Sequence, residues 1–338
     1  MKKVLCFGEL LLRISPAPGD EAIDKHPMLL YMGGAELNVA TALAGWGVPV
    51  KYCTALPDNF MSRHVIDYLE YKGIYTSSVL FTGDRIGVYY LERGADLKSG
   101  VVYDRDRSSF SSLKRGMLDW DKILRDVVWF NFSAISPALN ADIADVCLEA
   151  LEAASKKGIT ISVDLNYRSR LWKYGKQPVE VMPSLLQYCD VVMGNIWSAN
   201  TLLNTSIDEH IHEKKSRQAY LDHAVATSKE IMQRFPKCST VANTFRFDNE
   251  ANNIRYFTTL YSKEQLFVSQ ELSCAGVVDR SGSGDCFMAG LIYGLYNEHD
   301  AQETLDYATA AAFGKLQEQG DATGQDVFTV QKRSTPNK

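Results

Sequence analysis

The stretch Val277-Val278-Asp279-Arg280-Ser281-Gly282-Ser283-Gly284-Asp285 runs directly into the apolar segment Cys286-Phe287-Met288-Ala289-Gly290-Leu291-Ile292. Small residues here open a helix. Glycines permit close backbone approach, and the free amides of a first helical turn, together with the helix dipole, form a site for an anion or for developing negative charge. Asp285 is out of place in such a site. It has two readings: a cap on the helix end, the commoner role of an isolated Gly-x-Gly-Asp, or a proton acceptor beside a phosphate. A second glycine turn, Gly33-Gly34-Ala35-Glu36-Leu37-Asn38-Val39-Ala40, opens another helix far upstream. Two separated turns of this kind call for one explanation. A P-loop kinase is a poorer reading, since GxxxxGK[ST] is absent, and a Rossmann dehydrogenase lacks its GxGxxG fingerprint.

The elements that must carry these turns alternate. Apolar, strand-like runs occur at residues 4–7, 50–56, 127–134, 159–166, 191–195 and 239–245, and helix-like stretches at 35–46, 59–72, 141–157 and 216–235 separate most of them. That rhythm predicts an α/β fold with a largely parallel central sheet flanked by helices, whose ligands sit beyond the carboxyl ends of the strands. Residues 87–93 and 100–105 break the rhythm, because no helix separates them. They read as a small antiparallel sheet, joined by residues from about 10 to 31, which either covers the active site or is an ordinary edge hairpin. The polar segment 204–215 reads as a solvated loop, and no linker divides the chain, so residues 1–338 are expected to form one domain.

Bulk composition narrows the function class. With 46% hydrophobic and 23% charged residues the 338-residue chain can bury a large core, and a formal net charge of −5 argues against nucleic acid or anionic lipid as a partner. Seven scattered cysteines without a CxxC pair fit a reducing, cytoplasmic setting. The opening apolar run is interrupted at Glu9, too early for a membrane span.

The two glycine motifs together resemble the GGxxxNxA and DTxGAGD signatures of the PfkB, or ribokinase-like, family of sugar and nucleoside kinases, over nearly the whole chain. The resemblance implies a ribokinase-like fold with an antiparallel β lid within residues 10–31 and 87–106, and a carbohydrate kinase using ATP and Mg2+. It gives Gly34 and Asn38 to sugar binding, Gly282, Ser283 and Gly284 to the anion hole, and Asp285 to the base. It leaves open a monovalent cation and a homodimer or higher homo-oligomer through the lid strands. On the nucleotide side it points to Asn195, Thr244, Arg246 and Thr309; helix packing is the plainer role for Thr309. Arg280 and Ser283 depart from the signature, and Ser198 stands where the family's NxxE motif has glutamate, so the residues that handle the metal stay unassigned.

Tyr89, Tyr103 with Arg105, and Asp164-Leu165-Asn166-Tyr167-Arg168 followed by Leu171-Trp172 resemble the 2-keto-3-deoxygluconate kinase branch. Gly8-Glu9 and Arg13 resemble its opening, or simply bracket the first strand. A sugar acid offers hydroxyls to tyrosines and a carboxylate to guanidinium groups. Phosphorylation of 2-keto-3-deoxygluconate at its 6-position is therefore the expected activity. Fructokinase, or another neutral-sugar kinase, is the nearest alternative, and a sugar sensor without catalysis is the non-enzyme one.

Overall fold

The structure, a computed structural model, describes residues 2–17, 27–92, 100–214, 216–248 and 253–335. In its main sheet β1 (Lys3–Phe7) lies third from one edge, with β4 (Val50–Leu56) and then β5 (Tyr75–Phe81) beyond it on that side. On the other side follow β8 (Val127–Ser133), β9 (Thr160–Asp164), β10 (Val191–Gly194) and β11 (Thr240–Asp248). All these pairs are parallel. Beyond β11 the sheet turns antiparallel through β12 (Asn253–Ser262), which pairs both β13 (Gln265–Val268) and β14 (Leu272–Ala275). This extension was not expected from the sequence, where residues 253–275 carry no helix to mark a crossover.

Helices cover both faces, and the strands are apolar on both sides accordingly. In β1, Val4 and Cys6 join one core while Leu5 and Phe7 join the other. The first core packs α1 (Ala35–Gly45), α2 (Phe60–Tyr71), α8 (Ser283–Tyr296), α9 (Ala301–Lys315) and α10 (Val327–Ser334). The second packs α3 (Trp120–Ile123), α4 (Ala141–Lys156), α5 (Pro178–Leu186) and α6 (Ile196–Leu203). Local signals set the helix ends: Asn59, Asn140 and Asn195 each cap the helix that follows by accepting a backbone amide. Next to α6 and α7 (Arg217–Arg234), residues 204–214 form no regular element. Ile211 is nevertheless buried with Tyr220 and Phe245, so the segment is anchored rather than fully solvated. Position 215 lies outside the described residues.

A second sheet of four strands stands apart, ordered β3 (Met28–Gly33), β2 (Leu11–Pro16), β6 (Gly87–Leu91), β7 (Val101–Asp104). Its β2–β3 and β6–β7 pairs are antiparallel and its β2–β6 pair is parallel. Residues 18–26 and 93–99, parts of the two segments expected to form the lid, lie outside the described residues. Strand alternation sorts the side chains cleanly. Register places Tyr31, Arg13, Tyr89 and Tyr103 in one row across the sheet, and Leu30, Ile14, Tyr90 and Val102 in the row on the opposite face. The first row faces the main sheet; the second faces outward, with Leu30, Tyr90 and Val102 exposed.

Candidate active site

The strand order switches direction at β1, from which β4 and β5 run to one edge of the sheet and β8 to β11 run toward the other. Crevices open beyond strand ends at such a point. Glu9 follows β1, Ser133 ends β8, Asp164 ends β9 and Gly194-Asn195 ends β10, so four strand ends converge on one region.

Both glycine turns are built as their residue types require. Gly34 precedes α1 with φ 130°, and a side chain there would meet the Glu9 carbonyl oxygen at 2.4 Å. Gly282 caps α8 in the left-handed region at φ 75°, and its missing Cβ would lie 1.8 Å from the Asp321 carbonyl oxygen. Only glycine fits either place. Asp285 then falls on the first turn of α8, buried, with the Asn38 amide donating to its Oδ2 at 2.7 Å. Burial pushes the Asp285 carboxyl up to about 6, although the Asn38 bond and the Arg168 and Lys315 charges pull the other way. A group held there is largely ionised at neutral pH and still basic enough to take a proton.

Asp285 sits where two clefts meet. The first, under the second sheet, is lined by Gly34, Asn38, Tyr89, Tyr103, Arg105 and Arg168 together with Gly282 and Asp285. The second is lined by Asn195, Thr244, Arg246, Gly282, Gly284 and Asp285. Asn166, Arg168, Ser281, Gly282 and Asp285 belong to both walls. Every residue expected to bind sugar therefore lies in the first cleft, and three of the four expected on the nucleotide side lie in the second. Thr244 and Arg246 project from the same side of β11, two residues apart.

Thr309 is the exception and corrects the expectation for it. It is buried in α9, with its hydroxyl bonded to Thr258 Oγ1 at 2.6 Å and donating to the Leu305 carbonyl at 2.7 Å. It packs helix against strand and reaches neither cleft. Ser283 likewise donates its hydroxyl to the Ala312 carbonyl at 3.0 Å, so only its backbone is free to serve an anion.

The two arginines of the first cleft differ. Arg105 is buried and pairs with Glu9, Nε to Oε2 at 2.7 Å and Nη2 to Oε2 at 2.5 Å, while Ser108 donates to the other Glu9 oxygen at 2.5 Å. Arg168 is exposed, donates to the Tyr167 carbonyl at 3.1 Å, and makes no ion pair among the described residues. Arg168 is thus the guanidinium in this cleft without a carboxylate already on it.

Three acids in the first cleft were not singled out by the sequence reading for roles there. Glu36 is buried close to Asp285 and accepts the Ser133 amide at 2.9 Å and the Ser133 hydroxyl at 2.6 Å; burial pushes it up to about 7. Asp321, from the loop after α9, accepts the Tyr89 hydroxyl and has its acidity weakened by burial. Glu36 lies inside the first glycine motif, so its type and place were a usable signal. Asp321 belongs to no motif, and only the fold brings it here. The third, Glu9, stands in the opening Gly8-Glu9, which resembles the 2-keto-3-deoxygluconate kinase branch but carried no assigned role.

Residues 1–327 match the family model for the pfkB family of carbohydrate kinases. The chain belongs to the PfkB family of carbohydrate kinases. It is thus a sugar kinase, of a family that uses ATP with Mg2+. Its fold is ribokinase-like. A solved structure, the 2-dehydro-3-deoxygluconokinase of Thermotoga maritima, superposes with a TM-score of 0.88 at 34% identity, covering 99% of each chain. The 2-dehydro-3-deoxygalactonokinase of Haloferax volcanii is 27% identical over 320 residues, 94% of this chain and 92% of that one. The 5-dehydro-2-deoxygluconokinase of Geobacillus thermodenitrificans is 25% identical over 284 residues, 83% of this chain and 77% of that one. Among the described residues no helix is long and apolar enough to cross a membrane.

Proposed function

We propose that this kinase transfers the γ-phosphoryl group of ATP to a hydroxyl of a keto-deoxy sugar acid, in the first instance the 6-hydroxyl of 2-keto-3-deoxygluconate. The observation that carries this reading is the place of Asp285, at the junction of a cleft lined by tyrosines and arginines and a cleft lined by Asn195, Thr244 and Arg246. An acceptor hydroxyl lying in the first cleft and a triphosphate entering from the second meet at that carboxylate. Names of the relatives agree in chemistry: each denotes a kinase for a keto-deoxy sugar acid.

In this mechanism Asp285 takes the proton from the sugar hydroxyl while that oxygen bonds to the γ-phosphorus and the bond to the β–γ bridging oxygen breaks, releasing ADP. Asn38 holds one carboxylate oxygen and so directs the other at the substrate. Backbone amides at Ser283 and Gly284 face the charge that develops on the transferred group, supported by the α8 dipole. Arg246 and Arg168 supply positive charge on the two sides of the transfer. Gly34 and Tyr103 shape the sugar cleft, and the second sheet acts as its lid.

The second cleft suits Mg2+ in the form a nucleotide brings it. Its side chains offer hard oxygen donors at Asp164, Asn195 and Asp285, while no group of three metal-ligating residues occurs among the described residues. Ser198 is engaged in a reciprocal cap with Asn195, its hydroxyl accepting the Asn195 amide at 3.0 Å. Asp164 and Asn195 would hold the ion through its waters, and when bound it neutralises charge on the phosphates. Lys315, fully buried, donates to the Glu318 carbonyl at 3.1 Å. The exposed row of Leu30, Tyr90 and Val102 supports a homodimer formed lid to lid, and seven unpaired thiols support a cytoplasmic setting.

One observation favours a neutral ketohexose instead: Glu9 already neutralises Arg105. Arg168 decides between them. A coupled assay for ADP release with 2-keto-3-deoxygluconate, 2-keto-3-deoxygalactonate and fructose should show preference for an acid. Arg168→Ala should cost the acid roughly 10- to 100-fold in kcat/KM, the scale of a charged hydrogen bond, and Arg168→Lys should recover only part of it. Equal losses for acid and fructose would return the assignment to a neutral-sugar kinase.

A further inference from the structure

Arg13 lies on the inward row of the second sheet, between Tyr31 on β3 and Tyr89 on β6. It is 3% exposed, and its guanidinium stands 4.3 Å from the Tyr31 ring centre. Nη2 meets Asp279 Oδ2 at 3.0 Å, and Nη1 meets both Asp321 Oδ2 and Ser281 Oγ at 3.2 Å. The two carboxylates are themselves built into the phosphate turn. Asp279 accepts the Ser281 amide at 2.9 Å and the Gly320 amide at 3.2 Å. Asp321 accepts the Tyr89 hydroxyl through its side chain and presses its carbonyl oxygen onto the bare face of Gly282.

One planar fork thus joins a lid strand, the segment leading into residues 282–284, and the loop that backs Gly282. Burying a cation against two acids is a poor way to gain stability, because apolar residues of the same volume commonly do as well. What a guanidinium adds is geometry: it fixes two carboxylates relative to each other and to its own strand. Tyr89, a wall of the sugar cleft, bonds the same Asp321.

We propose that Arg13 is a positioning residue that couples the lid sheet to the anion-hole turn, so that a sugar seated against Tyr89 sets residues 282–284 in place for phosphoryl transfer. The proposal rests on the kinase reading above and adds to it a residue that itself need touch neither sugar nor nucleotide.

The test uses the full chain and Arg13→Met and Arg13→Lys, with whichever sugar the parent phosphorylates fastest. Steady-state kinetics, calorimetric sugar binding and hydrogen exchange at amides 281–285, with and without sugar, are measured together. In the parent, sugar should slow exchange in the turn. In Arg13→Met kcat should fall about 10- to 100-fold, the scale of a misplaced reacting group, while sugar Kd moves less than about threefold and the sugar-dependent slowing disappears. Arg13→Lys, able to pair with one acid but not to bridge two, should recover kcat only in part. If Arg13→Met does not fold, Arg13→Lys decides alone. Parental kcat and parental slowing in Arg13→Lys would overturn the proposal, as would a kcat loss matched by an equal loss of folded protein. A parent that phosphorylates sugar without any change of exchange in the turn defeats the coupling only, whereas a parent inactive on every sugar defeats the kinase reading as well.

Discussion

Replacing Asn38 by leucine, close to it in shape, removes the side-chain donor that holds Asp285 Oδ2, at 2.7 Å in the parent. A hydrogen bond to a charged group is worth about 1.5–3 kcal/mol. Because that bond exists for the ionised form, its loss should raise the Asp285 pKa by about one to two units at 1.36 kcal/mol per unit. The parent carboxyl stands at about 6, so the variant should titrate at roughly 7 to 8. At pH 7 the ionised fraction then drops from about nine-tenths to between about a half and a tenth. The assay is kcat/KM against pH from 5 to 9, since that ratio reports the essential base of the free enzyme. Loss of any Asn38 contact to sugar lowers the plateau of the profile without moving its acid limb, so the two effects separate. An acid limb that stays near 6 in Asn38→Leu would refute the idea that Asn38 tunes the base; the absence of an acid limb in the parent would refute the role of Asp285.

Asp285→Asn should lower turnover by about two to four orders of magnitude, the usual worth of general-base assistance, while leaving the fold intact. The same variant should be more stable at pH 8. Burial holds the folded pKa above the unfolded value, so ionisation opposes folding by about 3 kcal/mol above pH 6, and by almost nothing below about pH 3 where both states are protonated. Calorimetry should therefore find a raised Tm at pH 8 and little change at about pH 3; a lowered Tm at pH 8 would contradict the burial account. Gly284→Ala and Gly282→Ala should part company. A methyl group added at Gly284 meets nothing within 4 Å, and Gly284 lines the second cleft, where we propose the phosphate binds, so that variant should fold and lose activity, whereas Gly282→Ala collides with the Asp321 carbonyl at 1.8 Å and should lose the turn itself, read as a fall in thermal stability.

Local chemistry made much of this protein legible before any coordinates. Two glycine turns demand backbone that only glycine adopts, and the periodicity of the flanking runs fixes which of them become strands and which helices. The resemblance of both turns to the family signatures is what allowed Gly34, Asn38, Gly282 and Asp285 to be named together, although Asn38 and Asp285 stand 247 residues apart and meet only in the fold. The lid pairing of residues 87–91 with 101–104 was likewise readable, since no helix separates them.

Tertiary structure decided everything that depends on which distant groups share a buried space. It assigned Glu9 to Arg105 and left Arg168 open to the cleft, a difference that two arginines in a sequence do not reveal. It sent Thr309 into the helix packing, because the face a helical side chain takes depends on how the whole helix is rotated against its neighbours. Most of all it brought Arg13, Asp279 and Asp321 together from the lid, the turn and the last loop. Such a charged cluster has no periodicity and no spacing to read: its members are fixed by the approach of three backbones, and burial, which gives the contacts their strength, is a property of the folded chain alone.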